Sequence, residues 1–256
     1  MESAYLTAVT QVSERHWHAL DDDRVVGRGE VSHRPDGRRF LSVDTWQGSV
    51  FDRLAEAMLA RLPRPLYTVV DEADVDLLSG WERLGFAPRR REWEYVIPTD
   101  PQLTGLGPAQ LAGVTVLPAG AADEGALGDL YRAVRAEVDA TLGWHNMPAE
   151  VLSRPDGSPL LDPARFTVAV ESGGYVGLAR VAPLPRQPRI GLIAVRADRR
   201  RRGIARALLA EVLGAAHQRG IPTASADVHQ SNHPAIALLE GAGARRAGSN
   251  LELVLR

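Results

Sequence analysis

Two periodicities alternate along the chain. In 121–138 the apolar residues Leu127, Leu130, Tyr131, Val134 and Val138 recur every three or four positions, and in 203–220 Ile204, Leu208, Leu209, Val212 and Leu213 do the same. This spacing predicts two amphipathic helices. The second stops at Gly220, a residue suited to the left-handed position that closes a helix. Short apolar or alternating runs lie around them. Residues 113–119, 189–195, 221–228 and 250–256 have strand length, and 165–171 with 175–182 form a hairpin around Ser172-Gly173-Gly174. Residues 232–244 add a short helix. The N-terminal part shows the same alternation: strands in 24–32 and 38–46, an amphipathic helix in 49–62, and a strand–helix–strand pattern in 66–98.

Residues 98–113, PTDPQLTGLGPAQLAG, interrupt the pattern with Pro and Gly and have no sustained period. This divides the chain into an N-terminal domain 1–98, a linker 99–112 and a C-terminal domain 113–256. Mixed strands and helices place it in the α/β (α+β) class, with a mixed, mostly antiparallel sheet flanked by helices.

The chain has 256 residues, 45% hydrophobic and 24% charged, with a net charge of −2. This is a soluble globular profile, and the near-neutral charge argues against a dedicated nucleic-acid binder. Only 5% of residues are aromatic, which counts against RNA binding by base stacking. No apolar run approaches the roughly 18 residues that cross a bilayer, and the N-terminus lacks a signal-peptide pattern. There is no cysteine, so disulfides and thiolate chemistry are excluded. A cytoplasmic protein, monomer or homodimer, without metal is expected. His229 and His233 lie four apart, but at a strand-to-helix junction without an accompanying carboxylate motif.

The most pointed feature is Arg199–Arg202 followed by Gly203, between the strand 189–195 and the helix beginning at Ile204. The chain contains no lysine, so some of these arginines reflect the composition of a sequence whose 30 basic residues are all Arg. A turn there stands at a helix N-terminus, where the first N–H groups have no intrahelical partner and the dipole favours anions. Gly203 permits close backbone approach and Ala205 keeps the next turn open. Guanidinium groups bind phosphate oxygens in bidentate fashion. The expected ligand is therefore a phosphate, although the P-loop and dinucleotide signatures are absent.

Arg200-Arg201-Arg202-Gly203-Ile204-Ala205 fits Arg/Gln-x-x-Gly-x-Gly/Ala, and Asn232-x-x-Ala235 with Leu238-Leu239 and Gly243-Ala244 follows at the expected distance. In these features the chain resembles the GNAT superfamily of N-acetyltransferases over roughly 113–256. The resemblance implies that acetyl-coenzyme A is bound by Ile193, Ala194 and Val195 of the strand, by Arg200, Arg201, Arg202, Gly203, Ile204 and Ala205 of the loop, and by Asn232 and Ala235. Asn232 alternatively serves as a helix cap. The acetyl group would pass by direct attack in a ternary complex to a primary amine on a small molecule or peptide.

ADVHQSN, 226–232, resembles the Leu-Glu-Val-Arg-x-Ser-Asn stretch of ribosomal-protein alanine N-acetyltransferases. The resemblance puts the general base at Asp227, whose alternative is a strand-end carboxylate facing solvent, and makes His229, two residues on along the same strand face, a candidate proton relay. The tyrosine that often protonates the departing thiolate is replaced by Leu239. Tyr131, His145 and Tyr175 are candidate donors, each with a packing or surface role as its alternative. Trp144 and His145, in the loop 141–148, are candidate acceptor contacts. A non-catalytic acyl-CoA sensor is the other reading that a missing hydroxyl allows.

The N-terminal part resembles a second, truncated unit of the same family, a tandem layout similar to that of mycothiol synthase. With Gly85-Phe86 placed over Gly243-Ala244, Trp81 falls on Leu239, Asp74 on Asn232 and Val70 on Val228. Its turn, VDTWQGSVF, has no arginine and is shorter than its counterpart. No coenzyme A binding is expected there.

Overall fold

The computed structural model describes residues 8–34, 36–107, 111–140, 161–182 and 187–256. They form two compact units: unit 1, residues 1–91 and 248–256, and unit 2, residues 92–247.

Unit 1 opens with β1 (Ala8–Ser13), β2 (His16–Asp21) and β3 (Arg24–His33), then β4 (Arg39–Asp44), α1 (Gly48–Leu59), β5 (Leu66–Asp71) and α2 (Val75–Arg83). The reading of the sequence placed no element before residue 24. Two strands stand there, with Trp17 and Ala19 of β2 pointing inward. Asp22 and Asp23 both have positive φ, the geometry of a two-residue hairpin turn between β2 and β3.

β6 (Ala87–Pro98) begins in unit 1 and enters unit 2 at Glu92. Unit 2 continues with α3 (Pro101–Thr104), β7 (Val114–Leu117), α4 (Glu124–Asp139), β8 (Phe166–Glu171), β9 (Gly174–Ala182), β10 (Arg189–Val195), α5 (Ile204–Gln218), β11 (Thr223–His229) and α6 (His233–Glu240). β12 (Arg245–Leu255) returns to unit 1. The 99–112 segment, expected as a linker, carries α3 and the buried Leu106, which packs in the core of unit 2. Pro and Gly there shape a packed connection.

The strand order is β1-β2-β3-β4-β5-β12 in unit 1 and β7-β8-β9-β10-β11-β6 in unit 2. The orders correspond strand for strand, and in each the last place is taken by the final strand of the other half of the sequence. Residues 92–98 of β6 pair antiparallel with β11, from Pro98↔Thr223 to Glu92↔His229, and β12 pairs antiparallel with β5. The internal repeat extends to hydrogen bonds. Phe86 N–H donates to Trp81 O as Ala244 N–H does to Leu239 O, and Gly85 and Gly243 share a left-handed φ.

In unit 2, α5 covers one sheet face with Ile204, Leu208, Leu209 and Leu213, against Ala224, Ala226 and Val228 of β11. α4 covers the other with Leu127, Leu130, Tyr131 and Val134, against Phe166, Val168 and Leu178. Both helices bury the stripes that their periodicity predicts.

Candidate functional site

β10 and β11 run parallel but pair only at Arg189↔Ser225 and Ile190↔Ala226. Beyond these two pairs the strands part. β10 stays with β9 as far as Val195↔Gly177, and β11 stays with β6 as far as His229↔Glu92. A shift of register at Gly191 accompanies the parting. The result is a wedge in the sheet, along which residues 191–195 have no strand partner on the β11 side among the described residues. Backbone N–H and C=O groups on such an edge are available to a ligand that lies in it like a strand.

At the head of β10 the chain turns into α5. Arg196 N–H donates to Val176 O, and Ala197–Arg199 make one turn of 3₁₀ helix. Arg201 has φ +58° and Gly203 has φ +84°. Gly203 is the N-cap of α5 and contributes no side chain to its free N–H groups. A Cβ on Gly203 would stand 3.1 Å from Leu111 Cδ2. Gly177 lets the helix start lie close on the sheet, since a Cβ there would meet Ile204 and Leu208 side chains and Ala194 O at 3.1–3.2 Å. An uncapped helix N-terminus beside an open strand edge suits a long ligand with an anionic end.

The arginines are not equivalent. Arg200 Nη2 pairs with Glu137 Oε2 at 2.9 Å, and its Nε donates to Val195 O. Arg199 and Arg202 both pair with Glu171, at 2.7 and 2.5 Å. Hydrogen bonds from Arg202 and then Arg199 hold the Glu171 carboxyl below its usual pKa range.

Residues 134–244 match the family model described as acetyltransferase (GNAT) family. This segment belongs to the GNAT family. A GCN5-related N-acetyltransferase from Sphaerobacter thermophilus is 20% identical, covers 96% of this chain and 82% of its own, and superposes with TM-score 0.69. A tandem GNAT protein from the clavulanic acid biosynthesis pathway is 18% identical, with coverage of 94% and 82% and TM-score 0.66. A GCN5-related N-acetyltransferase from Kribbella flavida is 16% identical, with coverage of 97% and 89% and TM-score 0.60. No curated protein sequence matches the chain. The GNAT fold thus extends beyond the matched segment, over the tandem arrangement as a whole.

In this GNAT unit Ile193, Ala194 and Val195 lie on the free stretch of β10, and Arg200–Ala205 form the loop and the helix start. Asn232 lies at the far end of β11, where it caps α6 by accepting the Ala235 N–H at 3.3 Å. Asp227 and His229 share the face of β11 opposite α5, since Ala224, Ala226 and Val228 fill the other face. Asp227 pairs with Arg189 Nη1 at 3.0 Å. Glu94 of β6 stands directly opposite Asp227 in the ladder, and Glu92 opposite His229. Sequence reasoning missed Glu92 and Glu94 because they belong to a strand that it assigned to the other domain. Ser231 holds the His229 ring through Nδ1, which lies 2.7 Å from Ser231 Oγ and 3.2 Å from its backbone nitrogen.

Leu239 is buried in the unit 2 core. Tyr131 is buried edge-on to Phe166, and burial pushes its hydroxyl up to about 12. Tyr175 Oη accepts the Asp123 N–H at 2.8 Å, at the start of α4. Both tyrosines therefore have places in the packing of α4. Trp144 and His145 lie outside the described residues.

Proposed function

We propose that the protein is an acetyl-CoA-dependent N-acetyltransferase, with the coenzyme in the β10–β11 wedge and its phosphates at the start of α5. The observation that carries this reading is the parting of two parallel strands after two residue pairs, beside a helix whose N-cap is a left-handed glycine. Such a wedge fits a pantetheine arm, with the strand edge as partner for its amides, and the uncapped N–H groups fit a pyrophosphate. The coenzyme would supply the acetyl group as a thioester. The acceptor nitrogen forms a bond to the thioester carbon, the carbon–sulfur bond breaks, and the amine proton passes to a base. Asp227 is the proposed base, with Arg189 holding its carboxylate and His229 on the same strand face as the proposed proton relay. Water or another donor protonates the thiolate, since Leu239 carries no hydroxyl.

The test is binding followed by turnover. Gly203→Glu puts a side chain and a negative charge on a left-handed residue at the phosphate end and should abolish coenzyme A binding in calorimetry. Unchanged affinity would sink the assignment. A second reading, an acyl-CoA sensor, is favoured by one observation: the position of the usual tyrosine holds a buried leucine. Acetyl-CoA binding without thiol release across a broad panel of primary amines would select the sensor.

A further inference from the structure

The arginine loop is braced from outside itself. Glu137, in the last turn of α4, accepts the Ala197 N–H with both carboxylate oxygens at 2.9 Å, and also takes Arg200 Nη2 at 2.9 Å. Through Arg200 Nε on Val195 O, one carboxylate ties together the end of β10, the 3₁₀ turn and the residue before the left-handed Arg201. Glu171, at the end of β8, takes Arg199 and Arg202 together. Three of the four consecutive guanidinium groups are thus committed to protein carboxylates. Arg201 makes no such pair among the described residues.

We propose that Glu137 is a positioning residue for the phosphate loop. It fixes the path from Val195 to Arg200, so that the N–H groups following Arg200 and the side chain of Arg201 face the anion. This rests on the reading that the loop receives coenzyme A phosphates. The alternative is that Glu137 occupies the place of a phosphate and competes with it. The geometry opposes that alternative. Glu137 serves a backbone N–H that precedes the helix start, and a ligand displacing it would leave that N–H to be satisfied anew. Charge balance agrees: without Glu137 and Glu171 the four adjacent arginines would repel one another and splay the loop.

The experiment compares wild type and Glu137→Gln in calorimetric titration with coenzyme A, and in saturation-transfer NMR with pantetheine, which carries no phosphate. The expected result is about tenfold weaker coenzyme A binding, the scale of one lost charge-assisted hydrogen bond, with pantetheine binding unchanged. Arg200→Gln cuts the same brace from the loop side and should weaken coenzyme A similarly. The double variant should be no worse than the weaker single one. If Glu137→Gln does not fold, Glu137→Asp, one methylene too short to reach both Ala197 N–H and Arg200, tests the same brace. Equal or tighter coenzyme A binding by both variants overturns the proposal, as does an equal loss for pantetheine. Wild type that binds no coenzyme A overturns the proposed function itself, an outcome distinct from a variant indifferent to the change.

Discussion

Leu239 sits in the unit 2 core with Tyr95, Val228 and Ala242, and is only 3% exposed. A tyrosine there, as in many GNAT proteins, would need room for a ring and a partner for its hydroxyl. Overpacking of a closed core costs ~1–3 kcal/mol. Leu239→Tyr should therefore lower the denaturant midpoint by a stability loss of that size and leave turnover no faster. A faster variant would show that the position still opens on the thioester. Glu171 makes a different prediction at the same scale. Its folded pKa is lowered from 4.5 by Arg202 and Arg199, so its contribution to stability is full above about that pH and disappears as pH falls through the lower folded value. Wild type should melt above Glu171→Gln at pH 7, and the two melting temperatures should converge on acidification below pH 4.5. A constant gap down to low pH would mean that Glu171 acts by shape and not by charge.

Helix ends marked by caps were legible because caps are local, whereas β1, β2 and α3 were not. The helix predicted to stop at Gly220 does so: Gly220 is left-handed, and Ile221 N–H reaches back to Ala216 O, closing the turn. Asn232 and Asp74, matched in the internal alignment, are both N-caps, accepting from Ala235 and Leu77 N–H. Asn232→Ala should cost about 1 kcal/mol in thermal unfolding, the usual loss at a cap. If coenzyme A affinity falls with it, Asn232 also serves the ligand. What was not legible is which groups answer the arginines. The spacing of Arg200 to Ala205 shows a loop, but Glu137 lies 63 positions from Arg200, and Glu171 lies 28 and 31 positions from Arg199 and Arg202. No periodicity connects such groups. Glu94 was hidden for the same reason, since alternation along β6 gives its faces and not its neighbour.

The two units show where that limit matters most. Reading the chain as consecutive domains follows from its composition, yet the last strand of each half completes the other unit. β12 brings Leu251, Leu253 and Leu255 into the unit 1 core beside Trp17, Trp81 and Leu66. Its Glu252, on the opposite face, pairs with Arg38 and Arg89. Burial of one leucine side chain stabilises by ~1.5–3 kcal/mol. Removing three costs about 4.5–9 kcal/mol before the backbone ladder to β5 is counted, a loss of the same size as the ~5–15 kcal/mol that holds a typical domain folded. A chain ending at Ala247 should lose the native fold of unit 1 although it retains residues 8–91 entirely. Near-ultraviolet circular dichroism should show the loss of tertiary signal from Trp17 and Trp81, and a peptide of residues 248–256 added in excess should restore part of it. A truncated chain that unfolds with the same midpoint as the full one would show that β12 decorates unit 1 and does not complete it.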